Sequence, residues 1–489
     1  MKPRIFGTLL ITTIFIACTA FADVRTSGEI SCNIVTEEGE PLPGATLKLS
    51  GEGLIQQSVI QTSNEKGFFR FLNLKPGKYT LEISLQGFAA KLYAVDVQIG
   101  INKEIRAILS PSTISAEVNV TDVVPLIDST STQIAVNYSN QTIQSVPIKR
   151  EFIEFMDLVP GINDRGAYGA GGKDENKYTR GSATSAYRLN GVDVSNINYG
   201  TTWVNPSFDT IDEIEVVGIG TSAEYGNYTG ATVNVVTKSG TNQYHGSASY
   251  FFTNDSLEAD NSGGLVDLKP LQNDYTHDVS FTLGGPLVKD KLLFFGSYGL
   301  NAYAEAPFNS DFFNQFRQHH IQGRVDYLAN KNNTISGMYN GDPANDGNLG
   351  LLAGSGPEIA YNEAFRMNTY FASWNSILNS STTTEVKFAG FNGHYDRNPV
   401  APLDAFLVED DTTGSKYNSY GFVTGEENRR NAVTGNVTHY VDNFLHSSHS
   451  FKFGLEYEDA YTQSDIDQTG GATFFIYAYG PYNIVTGLT

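Results

Sequence analysis

Apolar and polar residues alternate with a period of two along most of this chain, and the spacing of the alternating runs divides it into regions. Between residues 28 and 110 the runs are short: Ile30, Cys32, Ile34; Ala45, Leu47, Leu49; Phe69, Phe71; Tyr79, Leu81, Ile83, Leu85; and Ile105, Ala107, Leu109. A period of two puts every second side chain on one face of a strand, so each run predicts a strand with one buried face. Pro43-Gly44, Asn64 to Gly67, Pro76-Gly77 and Gly87 supply turn chemistry at the joints. Residues 23–110 are therefore expected to form a small β-sandwich. From Tyr244 onward the runs lengthen, and about ten amphipathic strands are expected. The clearest are Tyr244 to Thr253, His277 to Gly284, Lys291 to Gly299, Arg366 to Asn375, Glu385 to Tyr395, Ala432 to Val441 and His449 to Glu458. Aromatic residues gather at their ends. The links alternate between a tight turn at Gly284 to Lys291 and long polar stretches at Gly341 to Asn362 and Asp396 to Asn431. Such asymmetry predicts a transmembrane β-barrel with short turns on one side and long loops outside.

Between these regions the pattern is mixed. Phe152, Phe155, Met156 and Val159 stand at i, i+3, i+4 and i+7 and predict a short helix stopped by Pro160-Gly161. Asn190-Gly191 predicts a hairpin turn, and Ile211 to Val217 and Val233 to Asn242 read as strands. Residues 132–242 are expected to be a compact α/β unit. A Ser/Thr-rich connector over residues 111–131 precedes it. Within the connector, Ile114 to Asp122 is a β-prone run with no obvious partner, and an unpaired extended segment is suited to strand addition.

Composition sharpens the picture at three points. The 489 residues carry only 17% charged but 12% aromatic side chains, with 48 Gly, 27 Tyr and 30 Phe. That balance excludes a disordered chain and suits strands that meet lipid. The net charge of -21 argues against nucleic acid as a partner. Residues 1–22 read as a secretory signal, with Lys2 and Arg4, an apolar run from Ile5 to Ala17, and Ala20-Phe21-Ala22 as the cleavage site. Cys18 offers a competing reading as a lipidation site. If Cys18 leaves with the signal, Cys32 is the only cysteine of the mature chain. It is then expected to be a small buried strand residue, with no intramolecular disulfide.

Two resemblances rest on these residues. The order Gly67-x-Phe69-x-Phe71-x-x-Leu74-x-Pro76-Gly77-x-Tyr79 resembles the carboxypeptidase-regulatory-like, transthyretin-type domain, which implies a folding or interaction module. Tyr178 to Gly181, Tyr187 to Val194, Ile211 to Val217 and Val233 to Asn242, in that order, resemble the plug of TonB-dependent outer-membrane receptors of the Oar-like branch. The turn Gly284-Gly-Pro-Leu-Val-Lys-Asp-Lys291 is similar to the opening hairpin of those barrels. Val217-Gly-Ile-Gly-Thr-Ser222 departs from the Arg-Gly-Pro turn of many relatives.

The resemblance implies a mainly β protein: a β-sandwich, an α/β plug over 132–242, and from residue 243 to 489 the first part of an antiparallel barrel, about 10 of 22 strands. It implies a TonB-type energy-coupling partner in the periplasm, outer-membrane lipid around the strands, and an unidentified extracellular ligand. It implies that a TonB box can lie in the connector, with Ile114, Glu117, Val118, Val120 and Thr121 as its candidates; the alternative is that residues 118–121 are the first strand of the plug. Arg180 is expected to tie the plug to acids of the barrel wall. Tyr187, Asn190, Tyr199 and Trp203 are expected to face ligand, with packing against the wall as the alternative. The other functional class is a surface adhesion protein that binds polymers without import.

Candidate catalytic chemistry does not converge, so no enzyme and no cofactor are expected. His446 and His449 beside Asp442 sit in an inter-strand turn and read as solvated rather than metal-binding. His319 and His320 alternate across a strand and cannot chelate together. Asp164 to Gly172 lacks a Gly-Lys-Ser/Thr ending and reads as a loop rather than a phosphate cradle. Asp209, Asp212, Glu213 and Glu215 alternate along a strand and are expected to be surface charge.

Overall fold

The computed structural model describes residues 26–111, 120–123, 134–148, 150–159, 162–164, 177–179, 185–196, 202, 204–219, 231–258, 272–306, 312–351, 356–410, 415–444, 447–471, 473–477 and 480–482. The first unit contains strands β1 (Gly28–Val35), β2 (Thr46–Gly51), β3 (Val59–Thr62), β4 (Phe68–Leu74), β5 (Gly77–Ser84), β6 (Lys91–Val97), β7 (Asn102–Ile108) and β8 (Val120–Val123). They form two sheets, ordered β4-β1-β7 and β3-β2-β5-β6-β8. Ile30, Cys32 and Ile34 face Leu47, Leu49, Leu81 and Ile83 across the interface, all without solvent exposure. Each such side chain contributes about 1.5–3 kcal/mol on burial. Burial also pushes the Cys32 thiol up to about 12, so it is an inert packing residue. The last residues of the connector run do have a partner: β8 lies parallel to β6, with Leu92 opposite Val120 and Ala94 opposite Val123.

The middle unit contains β9 (Ile134–Ser139), helix α1 (Asn140–Ser145), β10 (Ile162–Asp164), β11 (Lys177–Thr179), β12 (Ala186–Leu189), β13 (Val192–Asp193), β14 (Ile211–Ile219) and β15 (Thr232–Thr237). Its sheet runs β13-β12-β15-β14-β9. Asn190 and Gly191 both take positive φ, 50° and 77°, in the two-residue hairpin between β12 and β13. The expected helix at Phe152 is instead a 3₁₀ helix, Phe152–Leu158. It has no side-chain cap at Glu151, whereas the six-residue α1 is capped by Ser139, which accepts from the Thr142 N–H, and Pro160 stands two residues beyond its end. Phe155 and Met156 still reach the core, where Phe155 packs against Tyr138 and Phe208.

The third unit contains β16 (His245–Thr253), β17 (Gln272–Val288), β18 (Leu292–Ala306), β19 (Asn314–Asn330), β20 (Asn333–Gly341), β21 (Ala344–Leu349), β22 (Tyr361–Asn379), β23 (Thr382–Pro399), β24 (Leu407–Asp410), β25 (Ser415–Tyr417), β26 (Phe422–Phe444), β27 (Ser447–Gln468), β28 (Thr473–Tyr477) and β29 (Gly480–Tyr482). Ten of them make one antiparallel sheet, ordered β16-β17-β18-β19-β20-β22-β23-β26-β27, with β21 bridging β19 and β22. The strands run longer than their apolar cores suggest, up to 23 residues in β26. The turn expected over Gly284 to Lys291 is only its last part, because β17 continues through Pro286 to Val288. Pro286 is accommodated where the register slips. The link expected to be long and polar from Gly341 to Asn362 holds β21 and a 3₁₀ turn at Pro357–Ile359.

The two faces of this sheet are inverted relative to a soluble protein. One face carries exposed apolar side chains, among them Phe281, Leu283, Val325, Trp374, Val433, Phe453 and Leu455. The other buries Gln322, Asp326, Asn340, Thr369, Lys387 and Asn428. Apolar outward and polar inward is the partition a membrane barrel requires. No helix among the described residues is long and apolar enough to cross a membrane, a fact that bears only on helices.

Candidate functional site

The middle unit sits against the polar face of the large sheet, and its core extends onto Met338, Met367, Phe371 and Phe391 of that wall. Arg150 is the principal polar tie. It precedes the 3₁₀ helix and reaches Asp209 Oδ2 at 2.8 Å and Asp278 Oδ2, on β17, at 2.7 Å. Its guanidinium also lies 4.1 Å from the Phe251 ring and 4.7 Å from that of Phe208. Burial works to raise the Asp209 carboxyl, but hydrogen bonds from Ser249 and Arg150 hold it below its ordinary value. On the far strands, Arg430 Nη1 pairs with Asp193 Oδ1 at 2.6 Å, and Lys387 Nζ donates to the Asn190 carbonyl at 2.7 Å. Planar guanidinium forks bridging two carboxylates suit a polar, largely dry interface.

Of the four residues expected to face ligand, Tyr187 and Asn190 are described, and both are buried. Tyr187 is buried in the core of the middle unit. Asn190 Nδ2 donates to Thr237 Oγ1 at 2.9 Å and its Oδ1 accepts from the Thr237 N–H at 3.0 Å. Neither side chain faces outward, because a strand packed on both sides has no wet face. Arg180, Tyr199, Trp203, Ile114, Glu117, Val118 and His446 lie outside the described residues. Val120 and Thr121 belong to β8. Arg150 makes a wall contact of the kind expected of Arg180. Its sequence signal was a cation just ahead of an apolar run, in a segment where a solvated face would serve equally well.

An aromatic cluster that sequence reasoning missed lines the same polar face near the long loops. Arg397 donates to Glu363 Oε1 at 2.7 and 2.9 Å and to Tyr420 Oη at 2.8 Å. Its guanidinium stands 4.6 Å from the Tyr361 ring, which packs 4.3 Å from Tyr420. Tyr395 donates to Glu363 Oε1 at 2.6 Å and packs on Phe365 at 4.9 Å. These residues come from three strands or loops, so no local motif announces them. The two histidines of β19 do separate: His320 is buried on the polar face, whereas His319 bonds Tyr298 Oη at 2.9 Å on the other.

The sandwich closes on the opposite end. Lys75 Nζ lies 3.1 Å from Asp326 Oδ2 on β19 and donates to Ser239 Oγ at 2.9 Å. Burial lowers the Lys75 ammonium from its ordinary value, and Asp326 works against that fall. The Gln57 N–H donates to Asp290 Oδ1 at 2.9 Å in the β17–β18 turn. Asn242 Nδ2 donates to the Ile55 carbonyl, and Tyr440 Oη to Glu29. The Ile99 N–H donates to Glu213 Oε1 at 3.2 Å, and Asn137 Nδ2 donates to the same oxygen at 2.6 Å.

The acids expected to be surface charge are therefore covered. Asp209, in the turn before β14, and Glu213 and Glu215, on β14, are buried and Asp212 is half-buried, because the sandwich and the wall cover the face that alternation alone leaves wet. Burial pushes the Glu213 carboxyl up to about 8, against the Asn137 and Ile99 hydrogen bonds, with Glu215 and Asp212 adding to the rise.

Known proteins resemble this arrangement. The outer membrane beta barrel domain family matches residues 236–311, and the carboxypeptidase regulatory-like domain family matches residues 29–110. The chain is 25% identical over 396 residues to the TonB-dependent transporter Oar of Myxococcus xanthus, covering 71% of this chain and 36% of that protein. It is 21% identical over 277 residues to the probable TonB-dependent siderophore receptor PirA of Acinetobacter baumannii, covering 48% of this chain and 35% of that one. The chain spans about a third of the length of these curated relatives. Among solved structures, the ferripyoverdine receptor of the Pseudomonas aeruginosa outer membrane matches with a TM-score of 0.51 at 14% identity, over 68% of this chain and 43% of that chain. The Escherichia coli outer membrane transporter YddB matches with 0.51 at 11% identity, over 71% and 51%. At such identities the structural likeness speaks for the fold.

Proposed function

We propose that this chain, an outer-membrane homologue of the TonB-dependent transporter Oar, works as part of an energy-coupled uptake receptor in which the middle unit is the plug of the barrel. One observation carries the reading: a sheet with greasy side chains outward holds a separately folded unit against its polar inner face. A lipid-embedded wall needs outward apolar residues. A seated unit on the inner face gives the lumen something to open.

In this reading, ligand arrives from the side of the long loops and meets the wall of Tyr361, Tyr395, Tyr420 and Arg397. A TonB-type partner engages the connector, within Ile114 to Thr121, by strand pairing in the periplasm. Pulling there loads β9, the edge strand of the plug sheet. Arg150, Arg430 and Lys387 are polar ties that can be exchanged for water more readily than an apolar core. The lumenal path opens as they part.

The test uses the full-length gene product in cells with and without the coupling protein. Chelated iron is the first probe, because one relative carries the name of a siderophore receptor. Uptake should require the coupling protein and should be lost when residues 114–122 are deleted. Normal uptake by that deletion contradicts the coupling assignment. Ligand retention at the cell surface, unchanged without the coupling protein and without import, favours the adhesion class instead.

A further inference from the structure

We infer that the sandwich is an exit gate on the inner mouth of the barrel, with the coupling connector built into it as a strand. The inference rests on the uptake reading above. Its first support is the face by which the sandwich docks. Along β4, Phe69 and Phe71 turn toward the sandwich core, so Arg70 and Leu72 belong to the outer face, which is wet in a free sandwich. Here they are only 7% and 6% exposed. Arg70 lies 4.4 Å from the Tyr440 ring on β26.

The docking also reaches strands spread across the large sheet. Gln57 reaches the β17–β18 turn, Lys75 reaches β19, and Glu29 reaches Tyr440 of β26. Ile99 meanwhile holds Glu213 of the plug. Wall and plug are thus fastened to one small domain. Between them remains a cavity of about 600 Å³, lined by Lys75 and Leu72 of the sandwich, Thr237 of the plug, and Ser373, Thr383 and Asn436 of the wall. That volume is in the range of small-molecule sites. In the gate reading, a solute that has passed the plug arrives in this half-polar, half-apolar chamber, whose floor is the sandwich, and movement of the floor widens its way out.

The fastenings are suited to release. They are mainly hydrogen bonds and one buried ion pair, and desolvation offsets most of what such a pair contributes. Interfaces of this kind between domains separate more easily than a shared apolar core. The connector supplies the handle. β8 pairs with β6 of the sandwich, and ten residues later the chain enters β9, whose Asn137 donates to both Glu213 and the Ile99 carbonyl. A pull applied between β7 and β9 therefore loads the gate on one side and the plug on the other.

The experiment uses the full-length protein in the outer membrane of intact cells. Leu72→Cys, and separately Arg70→Cys on the same face, report docking through labelling by a bulky periplasmic maleimide, with Glu38→Cys, in the exposed turn after β1 and away from the cavity, as the reference. At rest, labelling at 72 and 70 should be at least tenfold slower than at 38, and it should rise only where the coupling protein is energised. In a second variant, Gln57→Cys and Asp290→Cys are bridged by a short bis-maleimide. Bridging should stop uptake of chelated iron that the unbridged protein performs. Uptake by the unbridged protein is scored first and judges the uptake reading alone. The gate is overturned if positions 72 and 70 label at rest as fast as position 38, or if the bridged protein imports at the unbridged rate.

Discussion

Lys75, on the sandwich, and Asp326, on the inner wall of the barrel, form an ion pair at 3.1 Å although 251 residues separate them in sequence. Asp326 is fully buried and is also bonded by Arg324 and by Ser336 Oγ. Removing one partner leaves charge in a site that water does not reach, which costs about 3–5 kcal/mol. Asp326→Asn should therefore loosen the sandwich strongly, read as protease cleavage in the β7–β9 connector. Lys75→Met with Asp326→Asn should be milder than the two single effects summed, because the double change removes both members of this pair, while the loss of the Arg324 contact is common to every variant at Asp326. Additive effects would mean that the pair does not hold the docked state.

Glu213 gives the docked state a pH dependence. Its carboxyl titrates near 4.5 when free and near 8 when folded, so between those values the folded protein keeps a proton that the open one has lost. Stability is full below the lower value and falls as pH rises through the upper one, by up to about 1.4 kcal/mol per pH unit. Glu213→Gln keeps an oxygen to accept from Ile99 and Asn137 and removes the titration. Denaturation midpoints of the purified protein from pH 5 to pH 9 should slope downward in the wild type and flatten in the variant. Equal slopes in both would assign the dependence elsewhere.

Arg150 should be irreplaceable by lysine. It bridges Asp209 and Asp278 while lying over two phenyl rings, and the shorter lysine lacks the planar fork that meets both carboxylates while stacking on the rings. Arg150→Lys should lower the melting temperature of the plug nearly as far as Arg150→Ala. A lysine variant that melts like the wild type would reduce Arg150 to a simple counter-charge.

Much of this architecture was legible because membrane strands and sandwich strands share one period. The runs from Ile30 to Leu109 and from Tyr244 to Glu458 located the two outer units, and the Asn190-Gly191 turn stands where its φ requirements put it. What the alternation could not tell was what lies on each face. Glu213 and Glu215 look solvated until the sandwich is seated on them, and Tyr187 looks available until both sides of β12 are covered. β8 had no visible partner because parallel pairing to β6 is set by three-dimensional placement, not by a local turn. The Arg397 cluster is assembled from β22, β23 and the loop at Tyr420, and contact between distant segments leaves no local spacing to read.

Gly240, at the joint between plug and barrel, should tolerate no side chain. A Cβ there would fall 2.3 Å from the Phe294 carbonyl oxygen and 2.8 Å from its N–H nitrogen, both backbone atoms that cannot swing aside. Gly240→Ala should sharply reduce the folded, heat-modifiable form on gel electrophoresis. Gly323→Ala, whose Cβ would meet nothing within 4 Å, is the matched control and should behave as the wild type. Equal yields of the two would contradict the close approach at this joint.

The central claim is the inverted partition of the large sheet, and β26 tests it residue by residue. Nitroxide labels placed singly at Val433, Thr434, Asn436 and Val437 of the full-length protein in liposomes would be relaxed by oxygen, which concentrates in lipid. Strong relaxation at 433 and 437 with weak relaxation at 434 and 436 is the predicted result. Uniform relaxation along the four positions, or the reverse alternation, would contradict it.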